Sequence, residues 1–148
     1  MMVDSVRASE VRKKLESFKA FVKWGFSDFS ESFNIGSAAM PDAWEFCVKN
    51  QIGISVYVRY SEFRNRANVL ASIAKQEESE GLRVVEWLKR EGRMEEAAKF
   101  LIEDFQREGV VRIYAVLDYL DNLFCSDLSD VLAGKRWKET PFDWAGMR

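Results

Sequence analysis

The sequence predicts an all-α fold, a single-domain helical bundle of five to seven helices with an extended C-terminal tail. Three observations favour this class. Apolar residues recur at three- and four-residue steps along most of the chain. Only 8 glycines and 2 prolines occur in 148 residues, too few for an all-β protein full of tight turns. Hydrophobic residues make up 47% of the chain, enough for a real core. We assign residues 1–134 to the bundle and residues 135–148 to the tail.

The first predicted helix covers roughly residues 5–33. Its apolar stripe consists of Val11, Leu15, Phe18, Val22, Phe29 and Phe33. The segment MPDAWEFCVKNQIG predicts a short second helix. Pro41 suits the first helical position, where its missing N–H costs nothing, and Gly53 suits the stop.

The stretch after Gly53 fits two periods. One set of apolar residues alternates as in a strand: Ile54, Val56, Val58 and Tyr60. A longer set repeats as in a helix: Val56, Tyr60, Phe63, Ala67, Leu70 and Ala74. Because we find no second strand to pair with the first, the longer pattern takes preference, and it predicts a helix over about 54–80.

Three more segments predict helices: LRVVEWLKREG, RMEEAAKFLIEDFQREG and VVRIYAVLDYLDNLF. Gly109 suits the stop of the middle one. The last one carries the stripe Val110, Ile113, Leu117, Leu120 and Phe124, and a short turn, DLSDVLAG, follows it.

The chain contains no histidine. This excludes Ser–His and Cys–His nucleophile pairs and metal sites that use imidazole. No phosphate-binding glycine loop or nucleophile-elbow motif occurs either. We therefore expect no enzyme activity, no metal and no cofactor. Cys47 and Cys125 lie among apolar neighbours and are interpreted as buried free thiols, with one disulfide as the alternative.

Clustered carboxylates leave one enzymatic alternative open. Glu77, Glu78 and Glu80 could face Asp118 and Asp121 across two helices and hold Mg²⁺. That arrangement is typical of a Mg²⁺-dependent nucleotide pyrophosphohydrolase. A solvated, charged helix surface explains the same residues more simply and is the preferred interpretation.

The run YVRYSEFRNR interleaves arginines with aromatic residues. Arginine binds phosphate well and exposed aromatic rings can stack on bases. We select Arg59, Arg64 and Arg66, with Lys135 and Arg136 in the tail, as candidate nucleic-acid-binding residues. The alternative is a stripe of core aromatics flanked by solvated arginines.

The tail concentrates aromatic residues without a periodic pattern. Trp137, Phe142 and Trp144 are too apolar to be left bare. We expect them either to clasp the tail onto its own domain or to anchor a protein partner, and we select them as candidate partner-binding residues.

Charge is unevenly distributed, although the whole chain carries only −2. Residues 95–130 hold nine acidic and three basic side chains, whereas residues 54–94 hold six acidic and eight basic ones. This asymmetry indicates a partner. No signal peptide and no apolar run near 18 residues occur, so we expect a soluble, cytoplasmic protein without membrane contact.

Four features occur in order over roughly residues 41–124: Pro41, NQIGISVYV, LRVVEWLK and EDFQREGVVRIYAVLDYLDNLF. In this order they resemble the small all-helical subunit of the type III-B (Cmr) CRISPR effector complex. Gly53 is displaced from Asn50 relative to that family, its L-A-F element is absent, and the tail is extra. The resemblance implies a non-catalytic subunit that stacks with its own copies along an RNA-guided duplex in antiviral defence, touching the backbone rather than reading bases.

Our leading hypothesis is thus a non-enzymatic helical subunit or adaptor of a larger assembly, with a protein partner or self-association and RNA-binding through backbone contacts. The alternative is a standalone protein-binding inhibitor or immunity-type protein that antagonises a phage or a toxin.

Overall fold

The computed structural model describes residues 6–75 and 81–135. Within them the chain forms a mixed α/β fold with a six-stranded antiparallel sheet. The all-α helical bundle predicted above is therefore wrong. The elements in chain order are α1 Val6–Glu16, α2 Lys19–Lys23, β1 Asp28–Asn34, β2 Asp42–Lys49, β3 Ile54–Phe63, β4 Arg66–Lys75, β5 Leu82–Arg83, α3 Val84–Arg90, α4 Met94–Ala98, β6 Leu101–Ile102, α5 Phe105–Cys125 and α6 Ser129–Leu132.

The first four strands form an antiparallel meander in the order β1-β2-β3-β4. The two short strands β5 and β6 both pair with the far edge of β4, opposite Ile73 and Ala67 respectively. Between them, the N–H of Val69 donates to the carbonyl of Phe100 at 2.9 Å. The β4 edge is thus occupied along much of its length, whereas β1 is paired with β2 alone among the described strands.

One face of the sheet carries the core. On β3 the residues of the alternating set are at most 2% exposed: Ile54, Val56, Val58 and Tyr60. They join one buried cluster with Leu15 and Phe21 from the N-terminal helical segment and with the α5 stripe Ile113, Leu117, Leu120 and Phe124. Burial of this apolar surface is the main source of stability for the fold. We call the opposite side of the sheet the outer face.

The helix predicted over residues 5–33 is in fact two helices and a strand. α1 ends at Glu16, α2 spans five residues, and Phe29 and Phe33 belong to β1. A four-residue step keeps two side chains on one face in a helix and equally in a strand, where side chains alternate with period two. The residue halfway between them distinguishes the two structures, because it lies on the same face in a strand and on the opposite side in a helix. Here it is Glu31, whose charge hid the alternation.

The two central helices predicted over residues 41–53 and 54–80 are also wrong. The first is strand β2 with a turn, in which Gly53 adopts φ +86° and Asn50 Oδ1 accepts from the N–H of Ile54 at 3.0 Å. Over its described residues, 54–75, the second is β3, a turn and β4. The alternating set was the correct guide, since Leu70 of the longer set is 42% exposed. The partner strands that we did not find are β2 and β4.

In the C-terminal half, the observed helices are closer to the predicted ones. LRVVEWLKREG contains α3, and VVRIYAVLDYLDNLF lies within α5. The predicted stop at Gly109 is wrong, because α5 begins at Phe105 and continues through it. The predicted helix RMEEAAKFLIEDFQREG is divided into α4, β6 and the first turn of α5.

Candidate functional site

The outer face of the sheet brings together side chains from three strands in register. Arg59 of β3 pairs with Glu45 of β2 and with Leu70 of β4. In the next row, Tyr57 lies between Cys47 and Ser72, and Ser72 pairs in turn with Arg83 of β5. Side chains directly opposite one another on one face lie about 4.5–5.5 Å apart at Cβ, so these residues form one continuous surface.

These rows enclose a concavity of about 330 Å³. Val85 and Glu86, at the start of α3, form its rim beside Arg83. Its lining residues are Glu45, Tyr57, Arg59, Leu70, Ala71, Ser72, Arg83, Val85 and Glu86. The surface therefore combines an aromatic ring, aliphatic patches and two guanidinium groups, which suits a ligand with flat apolar and anionic parts.

The lining of this concavity carries two carboxylates, Glu45 and Glu86, beside the guanidinium groups of Arg59 and Arg83. No carboxylate of the described residues lies within ion-pair distance of Arg59 or Arg83. By contrast, Arg93, near α4, bonds Asp127 at 2.5 Å and Glu96 at 3.2 Å. Its hydrogen bond to Asp127 raises the pKa of Arg93 above its ordinary value. Glu86 lies 3.8 Å from the ammonium group of Lys89, and Glu45 is the neighbour of Arg59 across β2 and β3.

The other two predicted arginines lie at the β3–β4 turn. Arg64 adopts φ +58°, and its guanidinium carbon lies 5.1 Å from the centre of the Phe63 ring. A second concavity, of about 490 Å³, is lined there by Phe63, Arg64, Asn65, Arg66, Glu103 and Asp104. Phe63 and Arg66 also line a smaller hollow of about 160 Å³ with Asn68 and Leu101. The outer face thus continues from Tyr57 to the turn.

Of the remaining candidate residues, the structure describes Lys135 alone, and it does not line this surface. Lys135 is exposed after α6, where its N–H donates to the carbonyl of Asp130 at 2.9 Å. The other tail candidates lie outside the described residues: Arg136, Trp137, Phe142 and Trp144. The two alternatives for the tail, a clasp onto its own domain or an anchor for a protein partner, therefore concern residues outside the described part of the chain.

The acidic residues of the magnesium alternative have other partners. Asp118 forms an ion pair with Lys14 at 2.6 Å. Asp121 accepts from the backbone N–H groups of Lys19 and Ala20. Glu77, Glu78 and Glu80 fall in the segment 76–80, outside the described part of the chain. Within residues 6–75 and 81–135, no group of three acidic or cysteine side chains is placed to hold a metal ion.

Cys47 and Cys125 are free thiols, and each is half-buried rather than buried. Burial raises the pKa of both thiols, so the neutral thiol is favoured. Cys47 lies on the outer face beside Tyr57. Its position follows from the register of β2 and β3.

Sequence reasoning did not select Tyr57, Leu70 or Arg83 as site residues. A signal existed for the first, because period two places Tyr57 and Arg59 on the same face of a strand, opposite the apolar set Ile54, Val56, Val58 and Tyr60. Reading β3 as a strand would have shown them on one face. Arg83 had no such signal, because its position depends on pairing between β4 and β5.

Comparisons with protein-family models, with curated proteins and with solved structures found no match for this chain. None of the helices in the described ranges is long and apolar enough to cross a membrane.

Proposed function

We propose that this protein is a non-enzymatic module that binds single-stranded RNA on the outer face of its sheet. The observation that carries the proposal is the combination of Arg59 and Arg83, neither paired with a carboxylate among the described residues, around the half-exposed ring of Tyr57. Open sheet faces with aromatic and basic side chains suit single strands, because unstacked bases can lie on the rings while the backbone meets the charges.

Charge distribution supports this orientation. The chain as a whole is slightly acidic, but its acidic excess lies in residues 95–130, which include α5 and the first half of α6. Arg59, Arg66 and Arg83 lie along β3, β4 and β5 instead. A phosphate backbone is therefore attracted to the outer face and repelled by the helical surface.

Dimensions are also compatible with an extended polymer. β3 and β4 contain ten residues each, and at roughly 3.3 Å per residue such a strand spans about 33 Å. Tyr57 and Phe63 lie six residues apart on β3, which separates two stacking positions by about 20 Å along the face. A hollow of about 160 Å³ adjoins the second position, where Phe63 lies beside Arg66 and Leu101.

Fluorescence anisotropy with labelled single-stranded RNA, single-stranded DNA and duplex RNA at two salt concentrations tests the proposal. We expect single-stranded RNA to bind most tightly, with affinity falling as salt rises. Combined replacement of Arg59, Arg66 and Arg83 by Gln should abolish most of the binding. Arg59→Gln alone is compared with Lys13→Gln, which also removes one positive charge but from an exposed position on α1, away from the sheet.

Two results would count against the proposal. One is the absence of salt-dependent binding to any single-stranded nucleic acid. The other is unchanged binding by the triple Gln variant. If the outer face instead retained an acidic peptide and the triple variant released it, the face would be a protein-binding surface and the RNA proposal would be wrong.

A further inference from the structure

The exposed edge of the sheet has a palindromic sequence. β1 reads Asp-Phe-Ser-Glu-Ser-Phe-Asn, with Phe29, Ser30, Glu31, Ser32 and Phe33 symmetric about the glutamate. Among the described strands, β1 is bonded on one side only, to β2. An unpaired strand edge is a template for adding another strand.

We propose that β1 pairs antiparallel with β1 of a second copy, centred on Glu31, and so joins two sheets into one in a symmetric homodimer. In this register Phe29 of each copy lies opposite Phe33 of the other. Ser30 lies opposite Ser32 of the second copy. A twofold axis requires such self-complementarity, because the same patch contributes both halves of the interface.

The side chains on β1 fit this pairing. Phe29 and Phe33 are only half-buried within one chain, where they contact Phe46 and Trp44 with ring centres 6.2 Å and 4.8 Å away. Aromatic pairs across antiparallel strands stabilise a sheet. A second copy would thus cover rings whose outer sides are open, next to a groove lined by Leu15, Phe26 and Phe29.

An exposed apolar side chain lies beside the same edge. Ile35, directly after β1, is 64% exposed. In the proposed register it lies opposite Ser27 of the second copy, at the groove beside Phe26. Pairing of a seven-residue strand alone gives a small interface, so this flanking contact adds apolar area that a stable dimer needs.

The negative charges of the two Glu31 side chains at the centre of the proposed interface are compensated. A charged side chain on the core side of an edge strand usually discourages strand addition. Here Arg12 of α1 bonds Glu31 at 3.0 Å. The two glutamates at the axis are therefore flanked by two arginines, and the four charges sum to zero. Charge complementarity of this kind permits pairing at this register.

Sedimentation equilibrium over a range of protein concentrations, combined with charge exchange at Ser30 and Ser32, tests the proposal. The wild type should have twice the mass of one chain. The S30K/S32K variant places Lys opposite Lys and should be monomeric, and S30E/S32E should be monomeric for the same reason. An equimolar mixture of the two places Lys opposite Glu at both positions and should restore the dimer.

The S30K/S32E variant is the matched control, because each Lys then faces a Glu of the second copy. It should dimerise on its own, which also shows that charged residues at these positions do not unfold β1. A monomeric wild type at all concentrations would overturn the proposal. A dimeric S30K/S32K variant would also overturn it. The same holds if the S30K/S32E variant and the mixture of S30K/S32K with S30E/S32E both stay monomeric.

Discussion

The carboxylate of Asp121 accepts a hydrogen bond from the backbone N–H of Ala20 at 3.1 Å, although 101 residues separate the two. Its other oxygen accepts from the N–H of Lys19 at 3.0 Å. Phe18, which precedes α2, provides no side-chain cap. Asp121 therefore supplies from α5 the acceptor that a local capping residue normally supplies, and it fixes α2 against α5.

Replacement of Asp121 by Ala should destabilise the protein by about 1–2 kcal/mol, the usual cost of losing a helix N-terminal cap. Urea unfolding monitored by circular dichroism measures the change. Asp118→Ala is the control on the same helix. It removes only an ion pair with Lys14 in which the Asp118 side chain is 60% exposed, and it should cost about 0–1 kcal/mol. Equal losses in both variants would contradict the capping role.

Arg64 occupies a backbone conformation that suits glycine. Its φ of +58° lies in the left-handed region, which costs a residue with a Cβ roughly 1 kcal/mol. We expect Arg64→Gly to raise stability by about 0.5–1 kcal/mol, and Arg64→Ala to give no gain because alanine keeps the Cβ. Thermal unfolding of both variants checks this. A gain in the alanine variant would show that the arginine side chain, rather than the backbone, is the source of destabilisation.

The salt dependence of RNA affinity should distinguish the proposed base-stacking contact of Tyr57 from the proposed phosphate contact of Arg59. Tyr57→Leu removes a ring while keeping apolar bulk, so RNA affinity should fall by about 1–3 kcal/mol with an unchanged salt slope. Arg59→Gln should instead make the slope shallower by about 0.7, the amount for one phosphate contact on a single strand. Anisotropy titrations across a salt series measure both slopes. The same change of slope in the two variants would mean that Tyr57 does not stack.

Stability should decline in alkaline solution. Burial raises the pKa of Cys47, Cys125 and Tyr119, so the folded state holds these protons more tightly than the unfolded state. The resulting stability is fully present below the unfolded pKa, about 8.5 for cysteine and about 10 for tyrosine, and is lost as pH rises through the folded values.

Urea midpoints measured between about pH 7 and pH 10 should therefore be level at first and then fall above about pH 8.5. Replacing both cysteines by Ser removes the thiol contribution, so the early part of the fall should become smaller while the tyrosine contribution persists. A midpoint that rises with pH in this range would contradict the assignment.

The local sequence is sufficient to predict the helices whose stripe of apolar residues is long and uninterrupted. α5 carries Ile113, Leu117 and Leu120 at helical spacing, and no strand pattern competes with it. α3 lies within the segment predicted for it. The error was confined mainly to residues 28–75, where apolar residues at four-residue steps satisfy both a helix and a strand.

Part of the candidate surface could be selected from the sequence without knowledge of its secondary structure, and nucleic-acid binding there stays a prediction. Arginine next to aromatic residues in YVRYSEFRNR indicated a phosphate-binding surface whatever the secondary structure, and Arg59 lies on the outer face. The sequence did not indicate that Arg64 would occupy a turn, nor that Arg83 would join Arg59 across β4.

The amino-acid sequence is enough to establish the lack of histidine chemistry, the palindrome of β1 and the helical character of α5. The tertiary structure alone decided that residues 28–75 form a sheet, which face of it is covered, and which strand is left at the edge. The physical reason is that a helix satisfies its hydrogen bonds within one segment. A strand satisfies them only through a neighbour distant in sequence, so its formation depends on pairing that no local pattern encodes.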